Sequence, residues 1–486
     1  MTPIMRRLCE RGGLLDTYSQ GVVVQTPAGF AWDDLARLLQ ALLDRHDMLR
    51  ARLVLVNGQW TMQVEPVGAV AASRCLARLD AVGWDDETAR QAIVDREATA
   101  VIARLAPQAG LMLQATWLDR GPVRPGRLVL VVNHLVVDGV SLRILTEDLA
   151  AGARQLAAGR KLALEPCATP FRRWARQLAA QALTAARVGE MAFWTKTLGS
   201  VEPPLGGRGL DPARDTVGAC QTFRLTLASP AEPLLTTVPA AFHAGMEDVL
   251  LCGLALAMLA WHRRHGCADG RTSLLVEMEG HGRQEHLVEG ADLSRTIGWF
   301  TARFPVLLDL AGIDLAEALA GGQAAGQALK RVKEQLRAAP DHGLGYGLLR
   351  YLNPETEAIL AALVRPQITF NYLGRFLVPT ASDWAVVPAS TLLLEGRGDA
   401  ALPVAHALNI AAWTEDRPGG PQLHARWLWP AGLLSEAAVR ELAEAWFRAL
   451  EALADHAVRP GAGGHTASDF PLAQLSQEEM DSLFSG

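Results

Sequence analysis

The chain has 486 residues, of which 50% are hydrophobic and 20% are charged, and its formal net charge at pH 7 is −6. This composition is typical of a globular protein with a large core, and the length favours two lobes with linkers over one domain. The acidic balance, without a basic stripe interleaved with aromatic residues, argues against a nucleic-acid binder.

No stretch of the sequence has the pattern of a membrane-targeting or membrane-spanning segment. The opening residues MTPIMRRLCERGG lack the apolar run of a signal peptide. The most apolar stretch, 249–261, is too short to span a bilayer and predicts a buried helix. Six cysteines lie far apart without the spacing of metal ligands, which indicates reduced thiols in a cytoplasmic protein.

Strand and helix patterns alternate in the first half of the chain. A helix that begins at Asp33 carries leucines at amphipathic spacing, and Asn57-Gly58 predicts the turn of a β-hairpin. The patterns predict strands at 22–24, 50–56, 59–64, 111–118 and 128–132, and helices at 33–43, 87–105 and 141–156. The first half is therefore expected to be α/β.

The second half repeats this mixture after a segment rich in Gly and Pro. The patterns predict a helical stretch at 171–198, helices at 245–265, 315–337 and 433–456, and strands at 273–279, 367–371 and 423–428. We expect an N-terminal lobe at 1–175, an inter-lobe helix and linker at 176–218, a C-terminal lobe at 219–458 and a linker tail at 459–486.

His134 is the first candidate for a functional residue. The apolar strand at 128–132 ends in Asn133-His134, and after three apolar residues the chain turns at Asp138-Gly139. A histidine at such a strand end can lie at the floor of a cleft, where its ordinary pKa near 6.5 suits a proton acceptor. A buried, hydrogen-bonded structural histidine fits the same pattern.

Glu279 is the second candidate, because an apolar strand ends there and Gly280-His281-Gly282-Arg283 follows. The glycines permit a tight turn that would hold this carboxylate at the strand end beside basic neighbours. An acid or base in a reaction and a salt-bridged loop both remain open. The spacing of these histidines and carboxylates does not match a metal site.

Two further stretches, 343–352 and 370–376, are dense in turn and aromatic residues. Asn371 and Tyr372 lie at the end of a predicted strand in the second of them. They could line a pocket or form a structural corner, and composition does not choose between these.

The segment HLVVDG at 134–139 resembles the second half of the His-His-x-x-x-Asp-Gly motif of the condensation-domain superfamily of nonribosomal peptide synthetases. Several segments resemble motifs of the epimerization branch of that superfamily. They are GVSLRIL at 139–145, EGHGRQE at 279–285, DLSRTIGWFTARFPV at 292–306, GLGYGLLRYL at 343–352, FNYLGRF at 370–376 and the tail at 465–483. The resemblance covers essentially the whole chain.

This resemblance implies two lobes like chloramphenicol acetyltransferase, arranged as a V-shaped pseudo-dimer with a central tunnel. It implies an isomerase without a cofactor or metal of its own. The substrate would be an aminoacyl or peptidyl thioester on the 4′-phosphopantetheine arm of a peptidyl carrier protein, acting in cis or in trans with neighbouring synthetase domains. A monomeric cytoplasmic domain, without a nucleic-acid or membrane partner, is expected.

The resemblance also assigns roles to residues. His134 and Glu279 would face each other across the tunnel as an acid/base pair that moves the α-proton of the thioester. Asp138 would pair with an arginine, taken as Arg295, and fix the His134 loop. The remaining assignments are a lining role near the thioester for Asn371, Tyr372 and Ser141, and a structural role at the site for Gly139 and Asn133.

The sequence departs from the motif at Asn133, which stands where the family has the first histidine of the pair. The second histidine has the catalytic role in the family, so the change affects a supporting position. Two rival functions therefore remain beside epimerization. One is a noncatalytic platform that recruits a carrier protein or a tailoring enzyme, and the other, against which EGHGR and FNYLGRF argue, is a peptide-bond-forming condensation domain.

Overall fold

A computed structural model of the protein describes residues 1–12, 15–84, 87–199, 202–266, 270–377, 382–387 and 399–470. The chain forms two compact units. The first contains Met1–Thr184, His281–Thr301 and Pro379–Leu402, and the second contains Ala185–Gly280, Ala302–Val378 and Pro403–Gly486. Two segments that lie within the predicted C-terminal lobe thus pack with the first unit. Most of the predicted linker tail, from residue 471 onward, lies outside the described residues.

The first unit is built around a four-stranded sheet and two helical layers. Its helices are α1 (Pro3–Arg11), α2 (Trp32–Arg45), α3 (Glu87–Ala103), α4 (Gly139–Ala157) and α5 (Phe171–Gln181). Its strands are β1 (Ser19–Thr26), β2 (Ala51–Val56), β3 (Gln59–Val64), β4 (Leu76–Asp80), β5 (Leu113–Asp119) and β6 (Gly126–Asn133). The sheet order is β1-β6-β5-β4, with only the β4–β5 pair parallel, and β2 and β3 form a separate hairpin.

Two predictions for this unit are confirmed by local geometry. Asn57 and Gly58 both have positive φ, 50° and 77°, as the hairpin turn between β2 and β3 requires. The leucines of α2 are buried along one side of the helix, which packs against α4. On the other side of the sheet, Val101 of α3 packs with Val23 and Val129.

The second unit is built around a six-stranded sheet in the order β7-β12-β11-β10-β8-β9. Its strands are β7 (Cys220–Thr226), β8 (Ser273–Gly280), β9 (Ala302–Asp309), β10 (Ile368–Leu377), β11 (Leu408–Arg417) and β12 (Gly420–Pro430). The pairs β8–β10 and β10–β11 are parallel and the others are antiparallel.

Ten helices of the described residues accompany this sheet. They are α6 (Ala185–Val188), α7 (Met191–Thr197), α8 (Glu232–Leu235), α9 (Thr237–Phe242), α10 (Met246–Arg264), α11 (Leu315–Leu319), α12 (Gln323–Arg337), α13 (Leu344–Tyr351), α14 (Glu357–Ala361) and α15 (Glu436–Ala457). Helix α10 is buried along most of its length, as its apolar sequence predicts. Trp446 of α15 donates a hydrogen bond from Nε1 to the Leu250 carbonyl of α10 at 2.9 Å.

Two predicted helices are interrupted in the structure. The helix expected at 315–337 is divided into α11 and α12, because the chain turns at Gly321, whose φ is 69°. The helical stretch expected at 171–198 is three helices, α5, α6 and α7. Helical spacing of apolar residues continues across such short breaks, so periodicity alone does not locate them.

The core of the second unit lies on one face of its sheet. Side chains at alternating positions of the strands, among them Val276, Met278, Phe304 and Phe370, join the helices in one apolar cluster. Because side chains alternate along a strand, residues 277, 279, 303 and 371 belong to the opposite face. We call this opposite face the polar face.

No single helix of the described residues is long and apolar enough to cross a membrane. The segments Glu232–Phe242 and Met246–Arg264 meet the criterion only together, as a pair bent by 100°. Five of the six cysteines lie in described segments and are free thiols, whereas Cys267 lies outside the described residues. Burial raises the pKa of Cys75 to about 11, so this thiol is protonated near neutral pH.

His262 links the burial of α10 to the pH dependence of stability. Its side chain is 7% exposed, and burial, together with the positive charges of Arg271 and His265, lowers its pKa to about 4. In the unfolded chain the same imidazole titrates near 6.5. Between these pH values the unfolded chain therefore binds more protons than the folded one.

We expect the free energy of unfolding to decrease as the pH falls from about 6.5 to about 4, because His262 protonates first in the unfolded chain. Substitution His262→Gln should reduce this loss when Tm is measured across the range. The exposed His286→Gln is the matched control and should leave the slope as in the parent. An unchanged slope in His262→Gln would contradict this assignment.

Candidate active site

The turn that carries His134 begins where β6 ends. Asn133 is fully buried, and its Oδ1 accepts a hydrogen bond from the Leu135 amide at 3.1 Å, which caps the 3₁₀ turn His134–Val136. Its Nδ2 donates to the carbonyls of Leu15 at 2.8 Å and Asp16 at 3.2 Å. Asn133 therefore holds the His134 turn in place and ties it to the segment before β1.

The His134 ring is held between two aromatic side chains of the first unit. Its centroid lies 5.1 Å from that of Tyr18 in a stacked arrangement and 4.3 Å from that of Trp299. The side chain Nδ1 lies 2.8 Å from the Val137 carbonyl oxygen. A carbonyl oxygen only accepts, so Nδ1 carries the hydrogen and Nε2 is the basic nitrogen of the neutral ring.

Asp138 follows directly and fixes the end of this turn. Its Oδ1 accepts a hydrogen bond from the Ser141 amide at 2.7 Å as the N-cap of α4. Its carboxylate also forms an ion pair with Arg283, whose Nη2 lies 3.1 Å from Oδ1. The Arg283 guanidinium lies 3.9 Å from the centroid of the Phe300 ring. Burial lowers the pKa of Arg283, and the Asp138 carboxylate acts in the opposite direction.

The predicted pairing of Asp138 with Arg295 is wrong. Arg295 contacts Asp148 and forms an ion pair with Glu147 at 2.8 Å, both further along α4. Both arginines lie on the 281–301 segment, and the earlier one, Arg283, reaches the beginning of the helix. Because α4 and the 281–301 segment are far apart in the sequence, the sequence alone does not show which of the two arginines contacts Asp138.

The lining role predicted for Ser141 is also wrong. Its side chain is fully buried. The hydroxyl lies 2.7 Å from Asp138 Oδ1 and accepts hydrogen bonds from the Gly298 amide at 3.0 Å and from Arg283 at 3.2 Å. Ser141 thus joins α4 to the 281–301 segment. Gly139 begins α4, and a Cβ there would meet none of the described atoms within 4 Å, so space does not explain a glycine.

Glu279 lies at the end of β8 on the polar face, where Arg303 of β9 is its direct partner in the antiparallel register. The Arg303 guanidinium contacts Glu279 Oε1. Asn371 of β10 donates from Nδ2 to Glu279 Oε2 at 3.0 Å. Both carboxylate oxygens are therefore engaged, and the side chain is 14% exposed. The prediction placed Asn371 near the thioester, and the structure shows it in contact with the proposed acid/base group.

Tyr372 and Asn371 were both predicted to line the substrate tunnel, but Tyr372 lies on the other face of the sheet from Asn371. Successive side chains of a strand point in opposite directions, and Tyr372 packs against the apolar core. Its hydroxyl lies 3.1 Å from Thr414 Oγ1. Burial raises the pKa of this phenol. Tyr372 is therefore a structural residue of the core side.

Some residues at the two candidate positions were not assigned a role from sequence. Trp299 lies within the recognised 292–306 segment, but only folding brings it against His134. Arg303 lies on β9, a strand that was not predicted, and the register of β9 with β8 places it beside Glu279. Tyr18 offers no signal in the sequence. The described residues contain no group of three or more His, Cys, Asp or Glu arranged to hold a metal ion.

Comparison with known proteins gives consistent results at the level of the family. The family model for the condensation domain matches residues 14–475. A linear gramicidin synthase polypeptide of Brevibacillus parabrevis is 36% identical over 468 residues, which are 95% of this chain and 6% of that protein. The chain therefore spans only a small part of the synthase that it resembles.

Two solved structures are similar over nearly the whole chain. The epimerization domain from the third module of tyrocidine synthetase B has a TM-score of 0.79 at 25% identity, covering 94% of this chain and 97% of that one. The first condensation domain of the calcium-dependent antibiotic synthetase has a TM-score of 0.62 at 22% identity, covering 95% of each chain. The predicted mixed α/β fold is confirmed.

The ion pair of Asp138 predicts a large loss of stability when it is broken. Substitution Asp138→Ala leaves the buried Arg283 guanidinium without its carboxylate, which we expect to cost about 3–5 kcal/mol in chemical denaturation. Removing an exposed pair in the same unit should cost at most about 1 kcal/mol. Arg37→Met, which breaks the exposed pair with Asp34, is that control, and equal losses in both variants would refute the structural role of Asp138.

Proposed function

The chain belongs to the condensation-domain family, and on that premise we propose that it is an epimerization domain of a nonribosomal peptide synthetase. It would invert the α-carbon of an aminoacyl or peptidyl thioester on the phosphopantetheine arm of a carrier protein. The observation that carries this proposal is the Glu279 site, a carboxylate held by Arg303 and Asn371 at a strand end. The similarity to the tyrocidine synthetase epimerization domain supports it.

The proposed chemistry needs two proton-transfer groups. A thioester acidifies its α-carbon, and inversion requires that a proton leave one face and return to the other. His134 offers a basic Nε2 in a ring whose tautomer is determined by Val137. Glu279 offers a carboxylate whose orientation is determined by Asn371 and Arg303. We assign one of these residues to each face of the substrate. The unprotonated residue removes the α-proton from one face, and the other residue, in its protonated form, returns a proton to the opposite face.

The carrier protein is part of the same proposal. The curated relatives are large synthetase polypeptides of which this chain spans a small part. A substrate covalently attached to phosphopantetheine would therefore be delivered by a carrier protein, either in cis or in trans.

Asn133 bears on the alternative of a noncatalytic platform. The family motif has a histidine at this position, so its loss favours that alternative. However, Asn133 caps the His134 turn and ties it to Leu15. The polar side chain at this position therefore still holds the turn that carries His134. This observation favours a competent His134 and keeps epimerization ahead of the platform.

The experiment that tests the proposal uses a carrier protein loaded with an L-aminoacyl-phosphopantetheine in deuterated water. Epimerization predicts uptake of deuterium at the α-carbon and approach to a mixture of both stereoisomers after release of the thioester. Several amino acid and carrier pairs are compared, with binding of the carrier measured in parallel. Carrier binding without deuterium uptake would favour the platform, and peptide bond formation without uptake would favour condensation.

Both candidate acid/base residues should be required for inversion. We expect His134→Ala and Glu279→Gln each to lower the rate of inversion by about 10²–10⁴-fold, the usual contribution of a positioned acid or base. The exposed His286→Ala and Glu357→Gln serve as matched controls and should retain the parent rate. Full inversion by either active-site variant would remove that residue from the mechanism.

A further inference from the structure

Arg303 contacts two carboxylates, not one. Its Nη2 contacts Glu279 Oε1, and its Nη1 lies 3.2 Å from Glu277 Oε2. Glu277 and Glu279 are two residues apart on β8 and therefore share the polar face. Arg303 occupies the same face of the neighbouring β9 strand, directly opposite Glu279. One guanidinium thus bridges the proposed acid/base residue and a second carboxylate behind it.

The second carboxylate is held by a histidine. His406, in the segment that leads into β11, lies with Nε2 2.9 Å from Glu277 Oε2. The carboxylate accepts, so Nε2 donates. Glu277 and His406 are both buried, with side chains 5% and 6% exposed. Four residues therefore form a continuous series of contacts in the order His406, Glu277, Arg303, Glu279.

Burial makes the charge balance of this series important. Two carboxylates beside one guanidinium carry a net negative charge, and such a charge is costly in a buried site. The N–H donor of His406 reduces the cost of burying the carboxylate of Glu277, which is more buried than that of Glu279. Arg303 is then available to Glu279 through a second arm of its planar fork, a geometry that a lysine side chain does not offer.

From this geometry we propose that Arg303 is a positioning residue for Glu279, and that Glu277 and His406 orient Arg303. The inference deepens the proposed function, on which it rests, because it names residues that orient its acid/base group. Arg303 holds Oε1 and Asn371 holds Oε2, so the carboxyl group cannot rotate without breaking one of the two contacts. Proton transfer to carbon depends strongly on such orientation.

The first test is the crystal structure of the full chain with Arg303→Met. Without the guanidinium we expect Glu279 to leave its place, so that the 3.0 Å contact between Asn371 Nδ2 and Glu279 Oε2 is lost. Glu279 retained on Asn371 in the variant would overturn the proposal. This measurement needs no activity, so it decides the positioning role even if the parent protein neither exchanges nor inverts any thioester, a result that would defeat the proposed function alone.

The second test uses α-deuterium uptake from both the L- and the D-aminoacyl carrier. When one of two acid/base residues is impaired, the stereoisomer whose α-hydrogen faces the intact residue still exchanges, whereas its mirror image does not. We expect Arg303→Met to lower inversion by about 10²-fold. We expect it to shift the ratio of the two exchange rates in the same direction as Glu279→Gln does. Arg303→Lys, which keeps the charge, should recover part of the inversion rate.

Arg337→Met is the matched control, because Arg337 pairs with the buried Asp248 in the same unit, between α12 and α10. It should reduce stability and leave the ratio of exchange rates at the parent value. Equal loss of exchange from both stereoisomers in Arg303→Met would indicate a general structural defect and overturn the proposal. A shift of the ratio in Arg337→Met as well would do the same.

Discussion

The ion pair between Asp138 and Arg283 joins the beginning of α4 to the 281–301 segment within the first unit. The Asp138 carboxylate caps α4 by accepting a hydrogen bond from the Ser141 amide. Val137, the residue before Asp138, provides the carbonyl that accepts the hydrogen bond from His134 Nδ1. The same segment carries Trp299, against which the His134 ring packs. The orientation of the His134 imidazole therefore depends on this buried pair. Displacement of Asp138 would move the beginning of α4, and displacement of Arg283 would move the segment that carries Trp299.

The two candidate proton-transfer groups are held by different kinds of interaction. His134 is oriented by a backbone carbonyl and two aromatic rings, and the hydrogen bond to the carbonyl selects its tautomer. Glu279 is oriented by a guanidinium and an amide, which match the acceptor geometry of a carboxylate. Each of these two side chains is therefore held in a defined orientation by its own set of contacts.

In the sheet of the second unit, one strand contributes both to the apolar core and to the candidate site. Along β8, Val276 and Met278 join the apolar core, while Glu277 and Glu279 alternate with them onto the polar face. The register with β9 then places Arg303 between the two carboxylates. Because the side-chain period of a strand is two, a slip of one residue would exchange these faces, so the apolar core also maintains the register of the acidic residues.

The sequence by itself determined the mixed α/β character, the Asn57-Gly58 hairpin, the buried helix α10 and the identity of His134 and Glu279 as candidates, because each depends on local pattern or a contiguous motif. Only the tertiary structure decided that Asp138 pairs with Arg283 and not Arg295, and that β9 brings Arg303 to Glu279. It also decided that Tyr372 belongs to the core side, although its neighbour Asn371 contacts Glu279. Partners of this kind are set by strand register and by packing between segments distant in the chain, and a single sequence contains no local signal for either.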